Sequence, residues 1–237
     1  MEIVQIPALK DNYIYLLHGE GQTVVIDPSL AQPVLEAIDS RGWRLDYILN
    51  THHHNDHTGG NLELKAAKGA KIVGYAGDAH RIPGIDVQLK DGDIFKVCGQ
   101  EARVMFIPGH TLGHIAYYFA EAGSLFCGDT LFSLGCGRLF EGTPEQMFTS
   151  LGRIKALPPQ TKIYCAHEYT ESNGRFAKSI MPDNKNLAGR LAEVAALRAE
   201  GNPTVPSTLA GELKANPFLI AGNVEAFAKI RKMKDVF

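Results

Sequence analysis

Seven consecutive residues, Thr51, His52, His53, His54, Asn55, Asp56 and His57, put four imidazoles and a carboxylate directly behind the apolar run 45–49. Imidazoles so close repel when protonated and waste hydrogen-bonding capacity when neutral, whereas imidazole and carboxylate together are preferred ligands of zinc, iron and manganese. The run therefore reads as metal ligands on a loop between a buried strand and the helical pattern that opens at Gly59 and Gly60. In an extended stretch His52 and His54 project to one side and His53 to the other, and the turn at Asp56 and His57 offers a second pair.

One loop cannot complete a metal site, so further ligands have to come from other strand ends. Three places qualify: 104–107 runs into Pro108, Gly109 and His110, 124–127 into Gly128 and Asp129, and 162–165 into Ala166 and His167. Taken singly, His110 is a turn residue, Asp129 a cap and His167 a satisfied core histidine. Delivery of a ligand-type side chain by three separate strands at the same end is what a shared site in a layered α/β fold requires.

The set His52, His54, Asp56, His57, His110, Asp129 and His167 resembles that of the metallo-β-lactamase superfamily of dinuclear metal hydrolases. Residues 11–13, 51–61, 108–114, 128–132, 135–143, 167–170, 203–208, 216–218 and 231–235 are similar, within it, to the glyoxalase II (hydroxyacylglutathione hydrolase) family. The resemblance runs from end to end, and its last three segments single out the glutathione thioesterase. It implies an α/β (α+β) fold, a four-layer αββα sandwich with a C-terminal helical domain. It also implies one metal on His52, His54 and His110, a second on Asp56, His57 and His167, and Asp129 bridging both, with Asp56 and Asp129 catalytic. Two divalent ions, with zinc the first choice and iron or manganese the others, would ionise a shared water at neutral pH. The implied reaction is hydrolysis of S-D-lactoylglutathione to glutathione and D-lactate, the second step of methylglyoxal detoxification. A thiolate whose thiol has a pKa of ~8.5 leaves without compulsory protonation, so no general acid is needed. His114, four residues after His110, is read as structural. A lactonase or β-lactamase, an iron persulfide (sulfur) dioxygenase of the same fold and a non-enzymatic metal-binding module stay open as alternatives.

After residue 170 strand signals fade: 186–198 and 224–232 carry apolar residues at helical spacing, joined by a Pro-rich link at 201–206. The expected division is a catalytic domain over 1–170 and a helical glutathione-binding domain over 171–237. Residues 171–237 hold ten Lys and Arg against seven Asp and Glu, while 1–170 hold fourteen against nineteen. The resemblance implies that Arg231 and Lys234, with Arg138, Phe140 and Tyr169, bind glutathione, whose carboxylates suit charge-assisted hydrogen bonds. On the residues alone, Arg231, Lys232 and Lys234 are equally a solvated charge cluster at a helix end. Relatives carry Tyr or Phe at the position of Phe140, and Phe withholds a phenolic hydrogen bond.

With 237 residues, 45% of them hydrophobic, the chain can bury a sizeable core. A net charge of −2 gives no basic field for nucleic acid. Cys98, Cys127, Cys136 and Cys165 form no Cys-x-x-Cys pair, which points to a reducing compartment. No leader pattern follows Met1, and no apolar run approaches the ~18 residues of a membrane span. A cytoplasmic monomer without a membrane or nucleic-acid partner is the expectation. Strands are expected over 2–6, 13–18, 23–27, 45–49, 71–75 and 161–165, with helices over 31–41, 59–68 and 144–156.

Overall fold

Strands β1 (Glu2–Ala8), β2 (Asn12–Gly19) and β3 (Gln22–Ile26) pair as an antiparallel meander in a computed structural model that describes residues 1–237. Glu20 and Gly21 close the β2–β3 turn at φ of 49° and 72°, the double positive φ that a two-residue hairpin needs to match strand twist. Next come α1 (Gln32–Asp39), β4 (Tyr47–Leu49), α2 (Asn55–Thr58), α3 (Asn61–Lys68), β5 (Lys71–Tyr75) and β6 (Val87–Leu89). The last three strands add in parallel, giving the order β1-β2-β3-β4-β5-β6. Parallel neighbours need a long crossover, which α1 and α3 supply.

Alternation along the strands then decides the layers. Ile14, Leu16, Val25, Ile48 and Ile72 are fully buried on one face, against Val34 and Ile38 of α1 and Leu64 of α3. Tyr15, Tyr47 and Tyr75 project from the other face and meet Phe126, Phe95 and Phe106 at ring separations of 5.4, 5.2 and 4.8 Å. Those partners lie on β7 (Ile94–Val97), β8 (Gln100–Phe106) and β10 (Ser124–Gly128), which run antiparallel with β9 (Ile115–Phe119) in the order β10-β9-β8-β7. Residues 1–106 and 113–128 thus form one compact unit of three layers: helices, sheet and sheet.

Residues 107–112 and 129–237 form the second unit. It holds a short hairpin, β11 (Leu131–Phe132) and β12 (Gly135–Cys136), then α4 (Pro144–Lys155) and β13 (Lys162–Cys165). Helices α5 (Thr170–Ile180) and α6 (Lys185–Ala199) follow, then β14 (Ser207–Thr208), α7 (Leu209–Ala215), α8 (Pro217–Ile220) and α9 (Val224–Asp235). Phe148 of α4, Phe227 of α9, Phe218 of α8 and Phe176 of α5 join these helices as a row of rings spaced 5.8–6.2 Å. No helix in the molecule is long and apolar enough to cross a membrane. All four cysteines are free and buried.

Helix α4 begins where its capping signals place it. Thr143 Oγ1 accepts from Gln146 N at 3.3 Å, Gln146 Oε1 accepts from Thr143 N at 2.9 Å, and Pro144 takes the first helical position. Thr143→Ala is expected to cost ~1 kcal/mol of stability, read as a lower urea midpoint; an unchanged midpoint would mean the cap is redundant.

Three differences from the sequence expectation have local causes. Strand β4 starts at Tyr47 and not at Leu45, because Asp46 Oδ2 accepts from Thr23 N at 2.9 Å and takes the place of a ladder bond. Helix α5 forms despite Asn173 and Gly174 in its middle, both poor helix formers. Tertiary contact explains both residues: Asn173 Nδ2 donates to Ser133 O at 3.2 Å, and a Cβ on Gly174 would collide with Leu191 of α6. Finally, strand structure does recur after residue 170, since β14 pairs antiparallel with β13.

Candidate metal centre

The histidine-rich loop leaves the end of β4 through two interlocked amides. Asn50 Nδ2 donates to His57 O (3.0 Å) and to Asn61 Oδ1 (3.2 Å), and Asn61 Nδ2 donates to Asn50 Oδ1 (2.7 Å), so both ends of the loop are tied together. His52 and His57 are fully buried, with the His52 ring 4.6 Å from His54 and 4.1 Å from His57. His53 turns away, its Nδ1 2.9 Å from the buried Asp78 carboxylate, which also binds Arg81. Alternation along the loop thus puts the His52 and His54 rings together and turns His53 to Asp78. Asp56 is held by Asn12, whose Nδ2 donates to both its main-chain O (3.2 Å) and its Oδ2 (3.1 Å).

Asp27, which sequence reasoning passed over, orders the two buried rings. It lies at the end of β3 with φ 49° and 4% exposure, and it accepts from Thr51 N (2.8 Å) and Thr51 Oγ1 (2.7 Å). His57 Nδ1 lies 3.0 Å from Asp27 Oδ2, so the ring donates from Nδ1 and turns its Nε2 lone pair outward. The Thr51 hydroxyl has its proton on Asp27, so at 3.1 Å it accepts from His52 Nδ1 and sets the same tautomer there. A ligand-type residue closing an apolar strand was the signal that found Asp129, and it was equally present at Asp27. His114 is buried, its Nδ1 3.1 Å from Ile115 O and its ring stacked on His52 at 4.6 Å, a supporting position. Gly128 holds φ 48° at the end of β10, where a Cβ would collide with Thr51 Oγ1.

The second unit contributes its own convergent group. Asp129 is 6% exposed; its Oδ2 lies 3.4 Å from His110 Nε2 and its Oδ1 3.4 Å from His167 Nε2. His110 Nδ1 sits 2.8 Å from the Arg138 carbonyl, which can only accept, so Nδ1 carries the proton and the Nε2 lone pair faces the carboxylate. Two electron pairs directed at each other across 3.4 Å repel unless a cation stands between them. That spacing is long for a hydrogen bond but equals the edge of a tetrahedron of ligands at ~2.1 Å from zinc. Each Asp129 oxygen addresses a different histidine. Gly137 makes room for it, since a Cβ there would collide with Asp129 O and crowd His110 Nδ1.

A family model described as the metallo-beta-lactamase superfamily matches residues 9–167, and one described as the hydroxyacylglutathione hydrolase C-terminus matches residues 168–237. A hydroxyacylglutathione hydrolase from Methylococcus capsulatus is 58% identical over all of this chain and 99% of its own, and one from Rhodospirillum rubrum is 55% identical over the same shares. The chain belongs to the hydroxyacylglutathione hydrolase family. Among solved structures, ETHE1 from Myxococcus xanthus superposes with a TM-score of 0.76 at 26% identity, covering 98% of this chain and 90% of that one. TTHA1623 in a di-iron-bound form gives 0.66 at 26% identity, covering 92% and 100%. The fold is the metallo-β-lactamase fold with a C-terminal helical region, and this family member's histidine and aspartate donors fit a dinuclear metal site.

In this hydroxyacylglutathione hydrolase family member, a cavity of about 380 Å³ in the second unit is lined by His110 and Asp129 together with Arg138, Phe140, Tyr169, Arg231 and Lys234. Tyr169 stacks on the His167 ring at 4.7 Å, and Phe140, 60% exposed, stands edge-on to His110 at 5.2 Å. The cations differ in freedom. Arg231 is buried, donates from Nη1 to Cys136 O at 2.8 Å and pairs through Nη2 with Asp235 at 3.0 Å. Burial, with Arg231, Arg175 and Arg138 nearby, lowers the pKa of Lys234, whose Nζ lies 5.5 and 5.4 Å from the Phe176 and Phe237 ring centres. An anion entering the cavity relieves that repulsion. Burial pushes the Cys136 thiol up to about 11, so it is no nucleophile at neutral pH.

Proposed function

We propose that the protein hydrolyses S-(2-hydroxyacyl)glutathione thioesters, S-D-lactoylglutathione among them, to glutathione and a 2-hydroxy acid such as D-lactate. The observation that carries this is one cavity lined both by metal-type donors, His110 and Asp129, and by the cations Arg138, Arg231 and Lys234. Membership of the hydroxyacylglutathione hydrolase family along the whole chain supports it.

In this reading His52, His54 and His110 hold one ion, Asp56, His57 and His167 the other, and Asp129 both. The donor set of imidazoles and carboxylates without a thiolate suits zinc, iron and manganese about equally, and zinc is the first choice with iron or manganese the others. When bound, the two ions supply a water ionised at neutral pH and a positive field for the oxyanion that develops on the thioester carbonyl. The chain does the rest. Asp27 and Thr51 keep the protons of His57 and His52 on Nδ1, Asn12 fixes the Asp56 carboxylate, and Lys234 and Arg138 take the glutathione carboxylates while Arg231 shapes the cavity wall. Tyr169 and Phe140 flank the acyl-sulfur end, and the thiolate leaves unprotonated. The catalytic part spans 1–170 and the glutathione-binding part 171–237. Four buried free thiols agree with a cytoplasmic site of action, and the reaction asks for no second subunit.

The test is thiol release from S-D-lactoylglutathione beside the lactoyl thioester of a small uncharged thiol. A strong preference for the glutathione ester is expected. Lys234→Ala should remove much of it by raising KM roughly 10- to 100-fold, the loss of a charged hydrogen bond of ~1.5–3 kcal/mol, with kcat little changed. Equal slow turnover of both esters, or turnover only of a lactone or of a persulfide with oxygen uptake, would reject this function.

A further inference from the structure

The β11–β12 hairpin begins two residues after Asp129, and two of its side chains, Phe132 and Cys136, line the same cavity. Phe132 sets its ring edge against His167 at 5.9 Å and Tyr169 at 5.3 Å. The hairpin is short and its turn is strained: Leu134 holds φ 58°, a left-handed conformation that a leucine disfavours and that two residues of strand on either side are too few to enforce.

Side chains from the helices enforce it. Leu134 N donates to Glu212 Oε2 at 2.8 Å, and Asn216 Nδ2 reaches Phe132 O at 3.1 Å, Gly135 O at 3.0 Å and the same Glu212 oxygen at 3.0 Å. Both residues are almost fully buried, at 1% and 0% exposure. Burial raises the pKa of Glu212, and the Leu134 N–H works against that rise. A carboxyl is costly in such a place, and a core that needed only volume would hold an apolar residue there. Instead, one acid and one amide bond main-chain groups at and beside the strained turn: Leu134 N, Phe132 O and Gly135 O.

We propose that Glu212 and Asn216 are positioning residues for catalysis, holding the 131–136 hairpin in its strained turn so that Phe132 forms the fixed wall of the thioester cavity. This rests on the function proposed above. Neither residue lines up with the reacting groups; they act through Phe132, which packs on His167 and Tyr169. The effect therefore falls on binding and orientation of the substrate more than on metal content.

The experiment compares Glu212→Ala, Asn216→Ala and Glu212→Gln with a destabilised control, Val194→Ala, a buried change on α6. Glu212→Gln keeps an acceptor for Leu134 N and is expected to stay within about threefold of the wild-type KM. Glu212→Ala and Asn216→Ala are expected to raise KM for S-D-lactoylglutathione by roughly tenfold, at a temperature where all variants are folded, with bound metal unchanged. Amide hydrogen exchange of residues 131–137 should quicken in both alanine variants and not in the control. Variants that lose stability as the control does but keep the wild-type KM and exchange pattern would reduce both residues to ordinary core members and overturn the proposal. Wild-type protein that hydrolyses no glutathione thioester would reject the functional reading instead, and unchanged exchange at 131–137 would then overturn the brace as well.

Discussion

Asp129→Ala is expected to lower kcat for thioester hydrolysis by a factor on the order of 10³, with loss of at least one metal ion per chain by elemental analysis. The size of the effect follows from the position of the carboxylate. Its two oxygens each face a histidine Nε2 at 3.4 Å, and His110 is fixed by the Arg138 carbonyl in the tautomer that turns a lone pair toward it. Alanine removes the only negative charge in this group of three and, in the proposed ligand set, the one donor common to both ions, so each ion loses a ligand and the charge that offsets their mutual repulsion. Asp129→Asn is the sharper variant: it keeps the shape and one acceptor but puts an N–H where the second oxygen was. It should retain the fold and, at most, one ion. Wild-type metal content in Asp129→Asn with near-normal turnover would show that Asp129 is not shared between ions.

The second large effect is expected at Asp27, which lines no substrate cavity. It accepts from Thr51 N, from Thr51 Oγ1 and from His57 Nδ1, and through Thr51 it also governs His52. Asp27→Ala leaves those donors unanswered in a fully buried place, and metal-free protein is expected to lose ~3–5 kcal/mol, read from the denaturant midpoint. Asp27→Asn separates orientation from burial, because asparagine tolerates the φ of 49° and fills the same volume. Its amide oxygen can meet Thr51 N, which bonds Oδ1, or Thr51 Oγ1 and His57 Nδ1, which share Oδ2, but not both sets, and the orientation that keeps Thr51 N turns an N–H toward His57 Nδ1. A His57 that accepts on Nδ1 carries its proton on Nε2, where the ligand lone pair belongs, and metal affinity should fall ~10- to 100-fold. Competition against a chromogenic chelator measures this directly. Equal affinity in Asp27→Asn and wild type would mean that the ring tautomers are set by the metal alone.

Both residues close apolar strands, yet only Asp129 was read as functional from the sequence. Asp27 sits in Asp27-Pro28-Ser29, a turn signature in its own right, and nothing within hydrogen-bonding reach along the chain marks it as more. Its partners lie 24 and 30 positions away, as Asn12 lies 44 from Asp56 and Glu212 78 from Leu134. Arg231 shows the same limit from the other side. A basic run at a helix end fits a solvated cluster and a ligand site equally well, and packing decided that Arg231 is buried, stacked over Phe218 at 5.2 Å and bonded to Cys136 O. Helix α5 escaped notice because Asn173 and Gly174 were chosen for long-range contacts at the expense of helix propensity.

What the sequence determined by itself is whatever depends on short-range order. Residue types and strand-end positions marked the candidate metal donors, alternation separated His52 and His54 from His53, the three-residue spacing of Thr143 and Gln146 started α4, and periods of two and 3.6 laid out most strands and helices. Only the tertiary structure decided which nitrogen of His52, His57 and His110 carries the proton, which cations line the cavity and which buried carboxyl braces which turn. Those outcomes rest on single hydrogen bonds between groups tens of residues apart, whose strength depends on geometry and exclusion of water, and neither exists until the chain has folded.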